Sequence, residues 1–123
     1  MTNYIDGYIF PLPRKHLEEY KRAAEQIAAI WKEYGALSYS EFVGDDMKLE
    51  GTQAFPEVIN TNEDEVIVFG WVMFASKEAR DLANKRVPED ARMADLVGPL
   101  VDPSKMIFDA SRMVYGGFKP LVL

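Results

Sequence analysis

Between Leu17 and Tyr34 the apolar side chains Leu17, Tyr20, Ala24, Ile27, Trp31 and Tyr34 return at alternating steps of three and four residues. That spacing gathers them on one face of a helix. The opposite face carries Lys15, Glu18, Glu19, Arg22, Glu25 and Lys32, with Lys15/Glu19 and Glu18/Arg22 four residues apart, as on a solvated surface. Pro13 suits the first turn of this helix and Gly35 its stop. Ahead of it, Tyr4 to Phe10 (YIDGYIF) is rich in aromatic and β-branched residues and reads as a first strand, closed by Pro11-Leu12-Pro13. After it, Leu37 to Val43 alternates apolar Leu37, Tyr39 and Val43 with Ser38 and Ser40, the pattern of an edge strand.

The stretch from Gly44 to Asp64 gathers Gly, Pro, Asn and acidic residues and predicts a long loop, with an extended piece around Phe55 to Ile59. Glu65 to Ala75 (EVIVFGWVMFA) is a third strand, apolar on both faces. Ser76 is a good N-cap for a second helix, Lys77 to Val87, with Glu78 in its first turn. Pro88 breaks that helix before a short piece at Ala91 to Val97, which Gly98-Pro99 ends. Met106 to Phe118 predicts a fourth strand, followed by the apolar tail Pro120 to Leu123.

The order β-α-β-β-α-β predicts an α+β fold of ferredoxin-like, split βαβ type: a four-stranded antiparallel sheet with both helices on one face. The other face is then bare. On the third strand Val66, Val68, Gly70 and Val72 alternate with Ile67, Phe69, Trp71 and Met73, and the bulkier set is assigned to the bare face. A bare aromatic face exceeds what a soluble monomer usually leaves in water, so a homodimer joined through it is expected. A polar loop from Gly44 to Asp64 covers too little to replace the second copy, although Phe55 and Ile59 would cover part of the face.

Composition narrows the functional classes. A chain of 123 residues, 48% hydrophobic, suits one domain spanning residues 1–123. Twenty acidic against fourteen basic side chains give a net charge of −6, which disfavours nucleic acid as a partner. The absence of cysteine removes disulfides, thiolate nucleophiles and thiolate metal sites. The first ten residues lack the marks of a secretory signal, and the longest apolar run, Val66 to Ala75, is too short for a membrane helix, so a cytoplasmic protein without membrane association is expected.

Several segments resemble one family: YIDGYIF, VIVFGW with SKEARDLAN behind it, DARM at Asp90 to Met93, and FDASRMVYGGF. Together they are similar to a small bacterial family catalogued as domain of unknown function number fourteen twenty-eight, within the dimeric α+β barrel superfamily. The resemblance spans nearly the whole chain, agrees with the expected dimer and brings no established activity. Superfamily members include haem-degrading and quinol-type monooxygenases and isomerases, which hold small ligands inside the barrel or between sheet and helices. The haem-degrading members use an Asn on the first strand, a Trp on the third and an iron-ligating His on the second helix. Here Trp71 lies on the third strand and Asn3 only ahead of the first, while the second helix has no His, and the lone His16 stands at the start of the first helix. No cofactor and no metal are therefore expected.

On the first strand Tyr4, Asp6, Tyr8 and Phe10 share one face, and we assign it to the side of Trp71. A carboxylate among aromatics is costly to bury unless paired, or else takes up a proton, which makes Asp6 a candidate general acid or base. Arg112 is the second catalytic candidate, able to pair with a first-strand carboxylate or to hold an anionic ligand. Tyr8, Phe69 and Trp71 are the candidate ligand-binding residues. Two functions fit these residues: a small-molecule barrel, as a binding protein or a cofactor-independent oxygenase- or isomerase-like enzyme, and a non-catalytic homodimer whose aromatics only pack the interface.

Overall fold

The computed structural model describes residues 3–123. Strands β1 (Tyr4–Pro13), β2 (Ser38–Val43), β3 (Glu65–Phe74) and β4 (Val114–Phe118) form one antiparallel sheet in the order β2-β3-β1-β4. Helices α1 (Leu17–Glu33) and α3 (Lys77–Arg86) are the two crossovers of a split βαβ unit, as predicted, with α4 (Ala91–Val97) set off from α3 by the turn at Val87–Glu89. Ser76 caps α3 by accepting a hydrogen bond from the Ala79 amide at 3.1 Å. Gly35, at φ 113°, supplies the left-handed backbone on which the chain leaves α1.

The core lies between the helices and one face of the sheet. Phe10, Leu12, Val66, Val68, Val72 and Phe74 meet Tyr20, Ala24 and Ile27 of α1, with Ala83 of α3 and Ile107 completing the cluster. The Phe10 ring packs edge-on against Tyr20 and Phe108, with centroids 5.6 and 5.0 Å away. The valines of β3 thus face the helices and Phe69, Trp71 and Met73 face away, as the alternation predicts.

Four element predictions are corrected. β1 does not close at Phe10 but continues beside β3 through Pro11, Leu12 and Pro13 to Glu65. Hydrogen bonding alternates along a strand, and Arg14, of even number, donates to the Asp64 carbonyl just ahead of β3. Pro11 and Pro13 therefore aim their missing N–H groups at the other side, where pairing with β4 has already ended at Ile9. The piece expected to be extended is a short helix, α2 (Phe55–Ile59), and Phe55 packs edge-on against Phe69 at 5.9 Å while Ile59 is buried. The fourth strand begins only at Val114; residues 106–113 are irregular, with a single turn at Ala110–Arg112 begun by Asp109, which accepts from the Ser111 amide. Further, the chain carries on from α4 through a last turn at Gly98–Leu100 rather than ending at Gly98-Pro99, and so buries Leu100.

Arg112 fastens that irregular segment to the sheet. Its guanidinium donates to both Glu65 oxygens at 2.7 and 2.8 Å and to the Asn60 carbonyl at 3.0 Å. These bonds hold the Glu65 carboxyl below its ordinary 4.5 and the guanidinium above its own usual value. Arg112→Gln should cost about 1.5 to 3 kcal/mol near neutral pH, as hydrogen bonds to a charged group do. Because Glu65 has its pKa lowered on folding, that difference should be complete above pH 4.5 and shrink as the pH falls through the folded-state value. Urea unfolding of both proteins between pH 3 and 7 measures it; a difference independent of pH would contradict the pairing.

Candidate functional site

The register of the sheet decides which candidate residues meet. Asp6 pairs with Val72, Tyr8 with Gly70 and Phe10 with Val68, and cross-strand partners share a face. Asp6 and Tyr8 therefore point to the helices, opposite Phe69 and Trp71, and the assignment of Asp6 to the Trp71 face is corrected. The bare face instead takes Ile5, Gly7 and Ile9 from β1. Arg112 does not reach Asp6, being held by Glu65. The five candidates thus fall into separate places: Asp6 in one buried cluster, Tyr8 in another, Arg112 near the loop, and Phe69 with Trp71 on the bare face.

The first cluster is built around Asp6, which is buried and ionically paired. Its Oδ1 accepts from Arg80 of α3 at 2.8 Å and from the Tyr115 hydroxyl at 2.7 Å. The same guanidinium lies over the Tyr4 ring, 4.7 Å from its centroid, and donates to Asp81 at 2.9 Å. Burial pulls the Arg80 guanidinium down, but Asp6, Tyr115 and Asp81 outweigh it and hold it above its usual value. Burial and the bond to Asp6 together raise Tyr115. Gly117 stands beside Asp6 on β4, and a Cβ there would come 2.5 Å from the Tyr4 hydroxyl and 3.0 Å from Arg80 Nη1. All the groups of this cluster are spent on one another, which suits a structural ion pair between α3 and β1.

The second cluster is centred on Glu41, which was not among the sequence candidates. Glu41 stands on edge strand β2, half-buried, facing α1. Its carboxylate accepts from the hydroxyls of Tyr8 at 2.6 Å, Tyr20 at 2.7 Å and Tyr39 at 3.3 Å, gathering groups from β1, α1 and β2. Burial first, and then the neighbouring Glu41 charge, drive the Tyr20 and Tyr39 phenols well above their ordinary range; for Tyr8, burial, Tyr39 and Glu41 act together. All three therefore stay protonated donors.

Gly70 makes this arrangement possible. It lies on β3 between Tyr8 and Glu41, paired with both, and a Cβ there would come 2.6 Å from Tyr8 Cζ and 2.7 Å from its hydroxyl oxygen. Without a side chain at Gly70, the Tyr8 ring crosses β3 and reaches a carboxylate two strands away. The sequence did hold a signal: Tyr20 and Tyr39 lie in apolar patterns, where a buried hydroxyl needs an acceptor, and Glu41 has the parity of Tyr39 on the same strand.

The cluster forms part of the wall of a cleft of about 470 Å³ between α1 and β2. Leu17, Tyr20, Ala24 and Ala28 of α1, Tyr39 and Val43 of β2, and Val68 of β3 supply much of the lining, and Glu18, Lys21 and Glu25 supply charged groups from α1. That volume lies within the roughly 300 to 1,000 Å³ of small-molecule sites. Among the described residues no group of three or more His, Asp or Glu side chains could hold a metal ion, and no helix is long and apolar enough to cross a membrane.

Sheet order and crossover helices define a ferredoxin-like, split βαβ α+β fold. Among solved structures, SnoaB, a cofactor-independent oxygenase from Streptomyces nogalater, superimposes with a TM-score of 0.56 at 10% identity, covering 98% of this chain and 95% of its own. A nipsnap family protein of unknown function from Agrobacterium tumefaciens superimposes with a TM-score of 0.57 at 14% identity, covering 96% and 87%. At these identities the likeness is one of fold. The family is set by sequence: residues 3–110 match the family described as protein of unknown function DUF1428, and the chain belongs to it. The uncharacterised protein YbaA of Escherichia coli K12 is 33% identical over 119 residues, 97% of each chain, and so is YbaA of Shigella flexneri.

Two outcomes test the two clusters. In a spectrophotometric titration Tyr8, Tyr20 and Tyr39 should ionise only as the chain unfolds, since a pKa raised on folding stabilises below the ordinary value of 10.0 and is lost as pH rises through the folded-state value. Gly70→Ala, which drives a methyl into Tyr8, should cost about 1 to 3 kcal/mol and release Tyr8 to titrate early. Six tyrosines ionising together near pH 10 in the native protein would contradict the Glu41 cluster. Asp6→Asn should cost about 1 to 3 kcal/mol in denaturant unfolding, since Arg80 loses its buried partner and keeps only the exposed Asp81; a loss under about 1 kcal/mol would mark the pair as solvent-screened.

Proposed function

We propose that the chain is a small-molecule-binding protein acting as a cytoplasmic homodimer, with its ligand site in the cleft between α1 and β2. The observation that carries the reading is Glu41: a carboxylate with three phenol donors, placed in the wall of an open cleft instead of deep in the core. A carboxylate offers about four lone-pair sites. Three are occupied, and the remaining one suits a ligand's N–H or O–H, while Leu17, Ala24, Ala28 and Val68 receive an apolar body. An oxygenase such as SnoaB shares the fold, and the same cleft would hold a substrate here if the chain is an enzyme of that kind. Tyr8 keeps a role at this site as a donor to Glu41.

Phe69 and Trp71 serve the dimer in this reading. Phe42 stacks on Trp71 at 5.5 Å and Phe69 meets it edge-on at 6.0 Å, yet Phe42 is 61% exposed, Phe118 55%, Val114 52% and Phe69 43%. Of the strand residues of this face, Ile5, Ile9, Ser38, Ser40, Met73 and these aromatics with Val114 carry no charge, and Glu65 at its end is paired with Arg112. In a chain of net charge −6, such a face is where two copies can meet without repulsion, and burying it favours the pair. The whole of residues 1–123 acts as one barrel-forming unit, each copy contributing one sheet and an interface of roughly 2,000 Å² or more.

A native mass spectrum of the protein purified from cells tests both parts. We expect twice the 14.0 kDa chain mass, with a retained small molecule that is lost when Ala28→Trp fills the cleft. Phe69→Asp should abolish the dimer. A 14.0 kDa species alone at low micromolar concentration would overturn the homodimer, and a ligand still retained by Ala28→Trp would overturn the cleft.

A further inference from the structure

Three carboxylates that this fold takes largely out of water are matched with arginine. Asp6 has Arg80 at 2.8 Å, Glu65 has Arg112 at 2.7 Å, and Asp90 has Arg92 at 2.9 Å. Their side chains are 7%, 8% and 12% exposed. Glu41 is also half-buried, yet among the described residues no lysine, arginine or histidine nitrogen lies within 4.0 Å of it, and its hydrogen-bond partners are three neutral phenols. Withdrawing a carboxylate from water is costly unless an opposite charge compensates it. Phenol donors supply hydrogen bonds and no charge.

We propose that the missing charge comes from the ligand: the cleft selects an organic cation, an amine protonated at neutral pH and carried on an apolar body. This rests on the reading of the cleft as a ligand site and names the chemical class it takes. Two further features agree. Glu18 and Glu25 outnumber Lys21 among the other charged groups of the cleft, so with Glu41 the local balance is negative. The aromatic rings of Tyr20 and Tyr39 beside the carboxylate offer π faces that attract a cation. An ammonium group would donate to the free lone-pair site of Glu41 and lie against these rings, with the apolar body along Ala24 and Ala28.

Three probes of one shape decide it: 2-naphthylmethylamine, 2-naphthylmethanol and 2-naphthoate, titrated at pH 7 into the isotopically labelled protein and followed at the Ala24 and Ala28 amides. The amine should bind at least about tenfold more tightly than the alcohol, the ratio expected for one charge-assisted hydrogen bond, and the acid should bind most weakly. Glu41→Gln should erase the amine's advantage over the alcohol. Lys21→Gln, a surface change that leaves the tyrosine cluster intact, should tighten the amine, and added salt should weaken it. Equal binding of all three probes, or preference for the acid, would overturn the cation inference and leave the cleft as a ligand site. Shifts at neither amide with any probe would overturn both.

Discussion

The ten-residue ladder between β1 and β3 pairs Tyr8 with Gly70 and Asp6 with Val72, and a shift of one residue would turn every side chain of β1 over. In the observed register Asp6 meets Arg80 and Tyr8 meets Glu41, while Ile5 and Ile9 join Phe69 and Trp71 on the bare face. Both polar clusters, the core and the bare face depend on this one alignment. Its specification is strong because a slip would put Phe10 and Leu12 in water and Asp6 among the aromatics of the other side.

Glycine positions make the alignment chemically useful. Gly70 opens a path across β3 for the Tyr8 ring, and Gly117 leaves room for the Tyr4 hydroxyl and Arg80 beside Asp6. Each polar cluster thus has a missing side chain as its neighbour, and each spans elements distant in sequence: Asp6 with Arg80 and Tyr115, Glu41 with Tyr8 and Tyr20. In one cluster the buried carboxylate meets an arginine of the same chain. The other holds a net negative charge beside a cleft, and that difference separates a structural pair from a candidate site.

Much of the architecture was legible in the sequence because hydrophobic period and capping residues are local signals. The helix from Leu17, the Ser76 cap, the break at Pro88 and the division of the third strand into valine and aromatic faces all follow from neighbours a few positions apart. What was not legible depended on pairing between strands. The alternation of Tyr4, Asp6, Tyr8 and Phe10 shows that they share a face but not which face, and choosing by aromatic content put Asp6 beside Trp71. Arg112 was read on a strand because Met106 to Phe118 is apolar enough for one, whereas Asp109 begins a turn there by accepting from the Ser111 amide. Glu41 escaped notice because nothing in a one-dimensional pattern tells that three hydroxyls from three elements converge on it.

Pro11 and Pro13 lie on β1 past the point where β4 stops, with their ring nitrogens toward the side where no strand pairs. A strand approaching there would find carbonyl acceptors at alternate positions and no matching donors, so it could not complete a ladder. This stretch of the central strand is thereby closed to sheet extension. Growth of the sheet by stray chains is confined to its outer margins, and the most apolar strand region of the molecule is kept from seeding aggregation.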